Sequence, residues 1–138
     1  LAENRLQSCA SLERAEPEAD RILTSTGLSM LAWDCKFAAY AQRADLSGMA
    51  EAKFQYLRLN RYRGEVYTEF TALLEQAYVQ GSQMERLQYK NFAQSAILLL
   101  EEVKQKTSPL AYRIVDKPDL EFSTDILPRL QAILDRKD

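Results

Sequence analysis

The sequence predicts an all-α protein, a single-domain helical bundle of about five to six helices that spans residues 1–138. Apolar residues recur at helical spacing along most of the chain. Only four glycines and four prolines interrupt this pattern, too few for the tight turns of an all-β sandwich. Apolar residues make up 46% of the chain and charged residues 28%, proportions typical of a folded globular domain rather than a disordered chain.

The two segments before residue 28 are expected to be short helices. Residues 2–15 have the apolar spacing of an amphipathic helix. Pro17 is predicted to interrupt it, because proline disfavours helical conformation at the preceding residue and suits the first turn of a new helix. The second helix is therefore expected from about Pro17 to Ser25, with Gly27 just beyond its end.

The residues from 28 to 44 are expected to form the central apolar helix of the bundle. On a helical wheel Ser29, Lys36 and Arg43 fall into one narrow polar strip, whereas most other positions are apolar. A helix with so narrow a polar edge is predicted to be covered on nearly every side by its neighbours. Its small residues would let those neighbours approach closely. They are Ala32, Cys35, Ala38, Ala39 and Ala41.

The pattern from Met49 to Val79 predicts one long helix with a bend. Before it, residues 45–48 form a predicted turn, in which Asp45 or Ser47 would cap the helix that follows. The apolar face changes phase near residues 60–64, and Gly64 would make a kink easy at that point.

Two further helices are predicted in the last third of the chain, with a shorter one between them. Ser82 and Glu85 form an S-x-x-E capping box, which predicts a helix over residues 83–106. The last helix is expected over about residues 124–136, with Pro128 in its first turn. Between them, the order Thr-Ser-Pro at residues 107–109 predicts a short helix through about residue 115.

The residue types available weigh against an enzyme. The chain has no histidine and only two cysteines, which excludes histidine-based triads and zinc sites of the usual kinds. Neither a G-x-G-x-x-G nor a Walker A motif is present. Glu101 and Glu102 diverge by about 100° on a helix and are expected at the surface. No catalytic residue, metal site or cofactor is therefore predicted.

Cys9 and Cys35 are compatible with a single disulfide in an oxidising compartment, and two buried thiols are the alternative. The sequence begins at Leu1 rather than at a methionine, as it would after removal of a signal peptide or after trimming. These two observations favour a periplasmic or secreted protein. A cytoplasmic location is the alternative.

The local positive charge in the middle of the chain supplies the candidate partner-binding residues. They are Arg58, Arg61, Tyr62 and Arg63. Arginine and tyrosine are enriched at interface hot spots, so this stretch is a candidate for docking an acidic partner protein. A solvated helix surface that carries Arg61–Glu65 pairs is the alternative.

The candidate ligand-pocket residues are Trp33, Asp34 and Phe37. Asp34 is predicted to lie opposite the polar strip, on the face expected to be dry, where a carboxylate needs a donor partner or stays protonated. In one interpretation a donor elsewhere in the bundle satisfies Asp34. In the other, Asp34 faces a ligand in a cleft beside Trp33.

The expected function is that of a non-catalytic protein that binds a protein partner, of the inhibitor, immunity or assembly-accessory type. A helical bundle that encloses an apolar small ligand is one alternative, and a self-associating subunit such as a homodimer is another. The formal net charge of −2 weighs against nucleic acid and anionic lipid surfaces as partners. No stretch of the sequence is long and apolar enough to predict a membrane span.

Overall fold

The structure, a computed structural model, describes residues 12–25, 29–106 and 123–137. These residues form six α-helices and contain no β-strand, which confirms the all-α prediction. The helices are α1 (Leu12–Ser25), α2 (Met30–Gln42), α3 (Leu46–Leu59), α4 (Gly64–Gln80), α5 (Gln83–Lys106) and α6 (Ser123–Leu134).

The chain divides into two compact units, Leu1–Leu59 and Asn60–Asp138. The first unit contains α1, α2 and α3, and the second contains α4, α5 and α6. The assignment of residues 1–138 to one domain stays a prediction.

Helix α2 is the middle helix of the N-terminal unit, because it packs against both α1 and α3. Ala32, Cys35 and Ala39 form its buried line, as expected for small residues at close helix contacts. From α1, Ala19 and Ile22 join Ala32 and Cys35 in one buried cluster. Cys9 lies outside the described residues, so its bond to Cys35 stays a prediction.

The prediction that α2 is covered on nearly every side is wrong. Met30, Asp34 and Ala41 are exposed, and the buried residues occupy only the side that meets α1 and α3. Ser29, predicted on the polar edge, is only 3% exposed. Its side chain caps α2 by accepting a hydrogen bond from the Ala32 amide at 3.1 Å.

The prediction that Pro17 interrupts the first helix is wrong. Pro17 lies inside α1, which continues from Leu12 to Ser25. A proline in a helix costs one backbone hydrogen bond, and the burial of Ala19 and Ile22 against α2 supplies the compensating stabilisation.

The long bent helix predicted over residues 49–79 is in fact two helices. Helix α3 ends at Leu59, and α4 begins at Gly64. The backbone of Arg63 is extended, with φ −102° and ψ 109°, which breaks the helical path. The phase change in the sequence therefore marked the end of one helix and the start of another.

The predicted cap at Asp45 and the predicted start of α5 at residues 82–85 are confirmed, but the turn predicted over residues 45–48 is wrong, because α3 already begins at Leu46. Asp45 accepts a hydrogen bond from the Gly48 amide at 3.0 Å and caps α3. At α5 the Glu85 amide donates to Ser82 Oγ at 3.2 Å, and the Ser82 amide donates to Glu85 Oε1 at 2.9 Å. This reciprocal pair is the predicted capping box.

In the C-terminal unit α4, α5 and α6 pack against one another. Each helix contributes large apolar residues that are almost fully buried, among them Tyr67, Phe70, Leu74, Tyr78, Tyr89, Leu100, Ile126 and Leu130. Pro128 falls in the second turn of α6 rather than the first, because α6 begins at Ser123. The helix predicted near residues 107–115 lies outside the described residues. None of the helices in the described part is long and apolar enough to cross a membrane.

Candidate functional site

The four predicted partner-binding residues fall in both units. Arg58 is exposed in the last turn of α3, where its Nε donates to Gln55 Oε1 at 2.9 Å. Arg61, Tyr62 and Arg63 belong to the C-terminal unit, in the segment that leads into α4. The structure therefore places the last three residues together on one turn.

A buried tyrosine fixes the backbone of this turn. The hydroxyl of Tyr67, in the first turn of α4, donates to the carbonyl oxygen of Arg61 at 2.8 Å. Burial raises the pKa of the Tyr67 hydroxyl above its ordinary value, so the hydroxyl keeps the proton that it donates. The Arg63 amide closes the turn by donating to the Asn60 carbonyl at 3.3 Å.

The side chains of the turn point to solvent. Tyr62 is 40% exposed, a large value for an aromatic ring. Arg63 Nη2 lies 2.9 Å from Glu65 Oε1, and Arg61 Nη1 lies 3.9 Å from Glu102 Oε1. All four charged side chains are exposed, and such pairs contribute only about 0–1 kcal/mol. These carboxylates can therefore be exchanged for carboxylates of another protein at little cost.

The structure places Trp33 at an open cleft in the N-terminal unit, with a volume of about 360 Å³. The cleft is lined by residues of three helices: Asp20, Leu23 and Thr24 of α1, Trp33 and Lys36 of α2, and Glu51 of α3. The other two predicted pocket residues, Asp34 and Phe37, are not part of its lining.

The prediction that Asp34 lies on a dry face is wrong, because Asp34 is exposed. The polar strip on the other side of α2 faces acidic residues of α1. Lys36 Nζ lies 2.5 Å from Asp20 Oδ1, and the guanidinium of Arg43 holds both carboxylate oxygens of Glu16, at 2.7 and 3.2 Å. Since these charges are paired between helices, the strip marks a helix contact.

Phe37 is half-buried and contributes to the contact between α2 and α3. The ammonium group of Lys53 lies 5.2 Å from the centre of its ring. This distance is within the range of a cation–π interaction.

The ammonium group of Lys36 is held in its charged form inside the cleft. Burial acts to lower the pKa of this group, but hydrogen bonds to Asp20 and Tyr40 outweigh that effect and raise it. Lys36 also lies 5.2 Å from the centre of the Tyr40 ring. The positive charge of Lys36 is therefore paired within the protein, chiefly with the carboxylate of Asp20.

No protein-family model, curated protein or solved structure matches the chain. Within residues 12–25, 29–106 and 123–137, no group of three or more acidic or cysteine side chains is placed to hold a metal ion.

The sequence interpretation did not identify the other residues that line the cleft. Asp20, Leu23 and Thr24 have the i, i+3, i+4 spacing of one helix face, and Trp33 and Lys36 have the i, i+3 spacing of another. This spacing shows which residues share a face. It does not show that the two faces meet beside Glu51.

Proposed function

We propose that this protein is a non-catalytic, exported helical protein that binds an acidic surface of a partner protein, as inhibitors, immunity proteins and assembly accessories do. One observation carries the proposal: the turn before α4 presents Tyr62, 40% exposed, between two exposed arginines. Tyrosine supplies contact area at a low entropic cost, and arginine supplies planar hydrogen bonding to carboxylates.

The backbone of the turn supports this proposal. The Tyr67 hydroxyl donates to the Arg61 carbonyl without any partner protein present, so the backbone of the turn is already ordered before binding. Lower ordering cost leaves more of the contact energy as affinity. The proposed partner is acidic because two guanidinium groups flank the ring.

The experiment compares three immobilised proteins in an extract of the source cells. They are the wild type, the triple variant Arg61→Gln/Tyr62→Ala/Arg63→Gln, and the charge-matched control Lys104→Gln/Lys137→Gln, which alters exposed lysines of the same unit. We expect an acidic protein that the wild type and the control retain and the triple variant loses. Tyr62→Ala alone should weaken that binding at least tenfold, as expected of a hot-spot residue.

Two readouts make the result decisive. Raising the salt concentration should release the partner, because exposed charge pairs are screened. Far-UV circular dichroism should be the same for all three proteins. Equal retention by the triple variant and the wild type would contradict the proposal.

The alternatives make different predictions. Self-association predicts a dimer or larger species at micromolar concentration, and a monomer in sedimentation would contradict it. A ligand-binding function would depend on the cleft beside Trp33 in the other unit and would not require the turn before α4.

A further inference from the structure

We propose that the cleft beside Trp33 binds a small organic cation, an ammonium or guanidinium group attached to an apolar body. The sequence analysis gave an apolar ligand as an alternative, but four of the six described residues that line the cleft are polar or charged. A volume of about 360 Å³ is in the range of small-molecule sites. The proposal is independent of the protein-binding turn, which lies in the other unit.

The charges of the lining favour a cation. Among the described residues that line the cleft, Asp20 and Glu51 are acidic and Lys36 alone is basic. Lys36 Nζ lies 2.5 Å from Asp20 Oδ1, so these two charges offset one another. Within this described part of the lining, Glu51 is left as the net charge, and its side chain makes no hydrogen bond or ion pair with another described residue.

The apolar lining completes the match to an organic cation. Trp33 contributes an indole and Leu23 an aliphatic side chain. Tryptophan is the aromatic side chain that attracts cations most strongly. A ligand that carries its positive charge at one end of an apolar body can therefore contact Trp33 and Leu23 while its charged group lies near Glu51.

The cleft can be tested directly, because Trp33 is the only tryptophan of the chain. Its fluorescence is titrated with benzylammonium and with benzyl alcohol, a neutral probe of nearly the same shape. We expect a saturable change with benzylammonium and an affinity for benzyl alcohol about fivefold weaker, the discrimination that one solvent-exposed charge pair supports. High salt should weaken binding of benzylammonium and leave that of benzyl alcohol unchanged.

Two variants distinguish the cleft from a general effect of charge. Glu51→Gln removes the proposed counter-charge at nearly constant size and should weaken the binding of benzylammonium about fivefold. Asp34→Asn is the matched control, because Asp34 is an exposed carboxylate next to Trp33 in sequence but outside the cleft lining. It should leave the affinity unchanged, and both variants should keep the wild-type circular dichroism spectrum.

Several outcomes would overturn the proposal. These are the absence of a saturable change with benzylammonium, equal affinity for the two probes, or equal weakening by Glu51→Gln and Asp34→Asn. Binding of a capped lysine peptide without binding of benzylammonium would also overturn it, since the cleft would then accept a protein side chain rather than a free ligand. None of these outcomes affects the partner-binding turn, whose test uses different residues.

Discussion

Gly48 of α3 lies directly against the ring of Tyr40. A Cβ atom at this position would overlap Tyr40 Cδ1 and lie 2.6 Å from Cγ, well inside van der Waals contact. Gly48 is also buried, and the contacted atoms include Cγ, which lies near the Tyr40 backbone and cannot move away as the end of a flexible side chain could. The close approach of α3 to the end of α2 therefore requires a residue without a side chain.

We expect Gly48→Ala to lower the free energy of unfolding by about 1–2 kcal/mol. The overpacking typically costs about 1–3 kcal/mol, and the better helix propensity of alanine recovers up to about 1 kcal/mol. Urea unfolding followed by circular dichroism measures the difference. A variant as stable as the wild type would show that Tyr40 does not occupy this position in solution.

At Ala44, four residues before Gly48, we expect a substitution that changes the free energy of unfolding in the opposite direction. Ala44 is the only non-glycine residue with a positive φ in the described residues, at 54°. It follows α2 in a Schellman motif, in which the Asp45 amide donates to the Tyr40 carbonyl at 2.9 Å and the Ala44 amide donates to the Ala41 carbonyl at 3.1 Å. The left-handed conformation is strained for alanine and not for glycine.

We therefore expect Ala44→Gly to raise the free energy of unfolding by about 0.5–1 kcal/mol, since relief of strain exceeds the entropic cost of glycine. Ala41→Gly is the control, because Ala41 is also exposed but lies inside α2. Ala41→Gly should lower the free energy of unfolding by about 1 kcal/mol. Destabilisation by both variants would show that the Schellman motif is absent in solution.

At the scale of the helix, the contact between α1 and α2 combines a small buried cluster with two ion pairs. Arg43 holds Glu16 through two hydrogen bonds, and Lys36 holds Asp20. The hydrogen bond from Arg43 is the main reason why the pKa of Glu16 is lower than its ordinary value. The Glu16 carboxylate is therefore more stable in the folded protein than in the unfolded chain.

This pair makes part of the stability depend on pH. A carboxyl group with a lowered pKa contributes stability above its unfolded pKa, and that contribution is lost as the pH falls through its folded pKa. We expect Arg43→Gln to be less stable than the wild type at neutral pH, by a small amount because the pair is exposed. The difference should vanish in acid, below the lowered pKa of Glu16.

Urea midpoints at neutral and acid pH, compared between Arg43→Gln and the wild type, provide the measurement. Arg58→Gln is the control, since Arg58 is hydrogen-bonded to the neutral side chain of Gln55. Its difference from the wild type should not depend on the pH in this way. A constant difference for Arg43→Gln would mean that Glu16 is not its partner.

The helices themselves were largely predictable from the sequence, because their signals are local. The capping box at Ser82 and Glu85 lies within four residues, and it located the start of α5 correctly. The break between α3 and α4 was harder to predict. A change of phase in the apolar pattern is compatible with either a bend in one helix or the end of a helix. The hydrogen bond from Tyr67 to the Arg61 carbonyl, which accompanies the break, joins a residue of α4 to a residue of the preceding turn.

The sites were less predictable, because they depend on which helix faces meet. The helical wheel grouped Ser29, Lys36 and Arg43 in one polar strip but did not show that Lys36 and Arg43 pair with α1. A wheel gives relative angles on one helix, and the acidic residues of α1 that face this strip lie outside it. For the same reason Asp34 was assigned to the wrong side of α2, and Glu51 of α3 was not identified.

At the scale of the whole molecule, a disulfide between Cys9 and Cys35 would link the N-terminal segment to the core of the first unit. Cys35 is 0% exposed and belongs to the cluster formed with Ala19, Ile22 and Ala32. A bond from Cys9 to this position would tie residues before α1 to the centre of α2. On the chain-entropy model, closing a loop of this length stabilises the fold by roughly 3 kcal/mol.

The same bond connects the fold to the proposed export, since disulfides persist in oxidising compartments. We expect no reactive thiol when the protein, purified from such a compartment, is unfolded without reductant, and two thiols after reduction. Reduction should also lower the free energy of unfolding by roughly 3 kcal/mol. Cys9→Ser is the control and should show one thiol, reactive only after unfolding because Cys35 is buried. Two thiols in the unreduced wild type would contradict the disulfide and remove the main support for export, while the helix contacts described above would be unaffected.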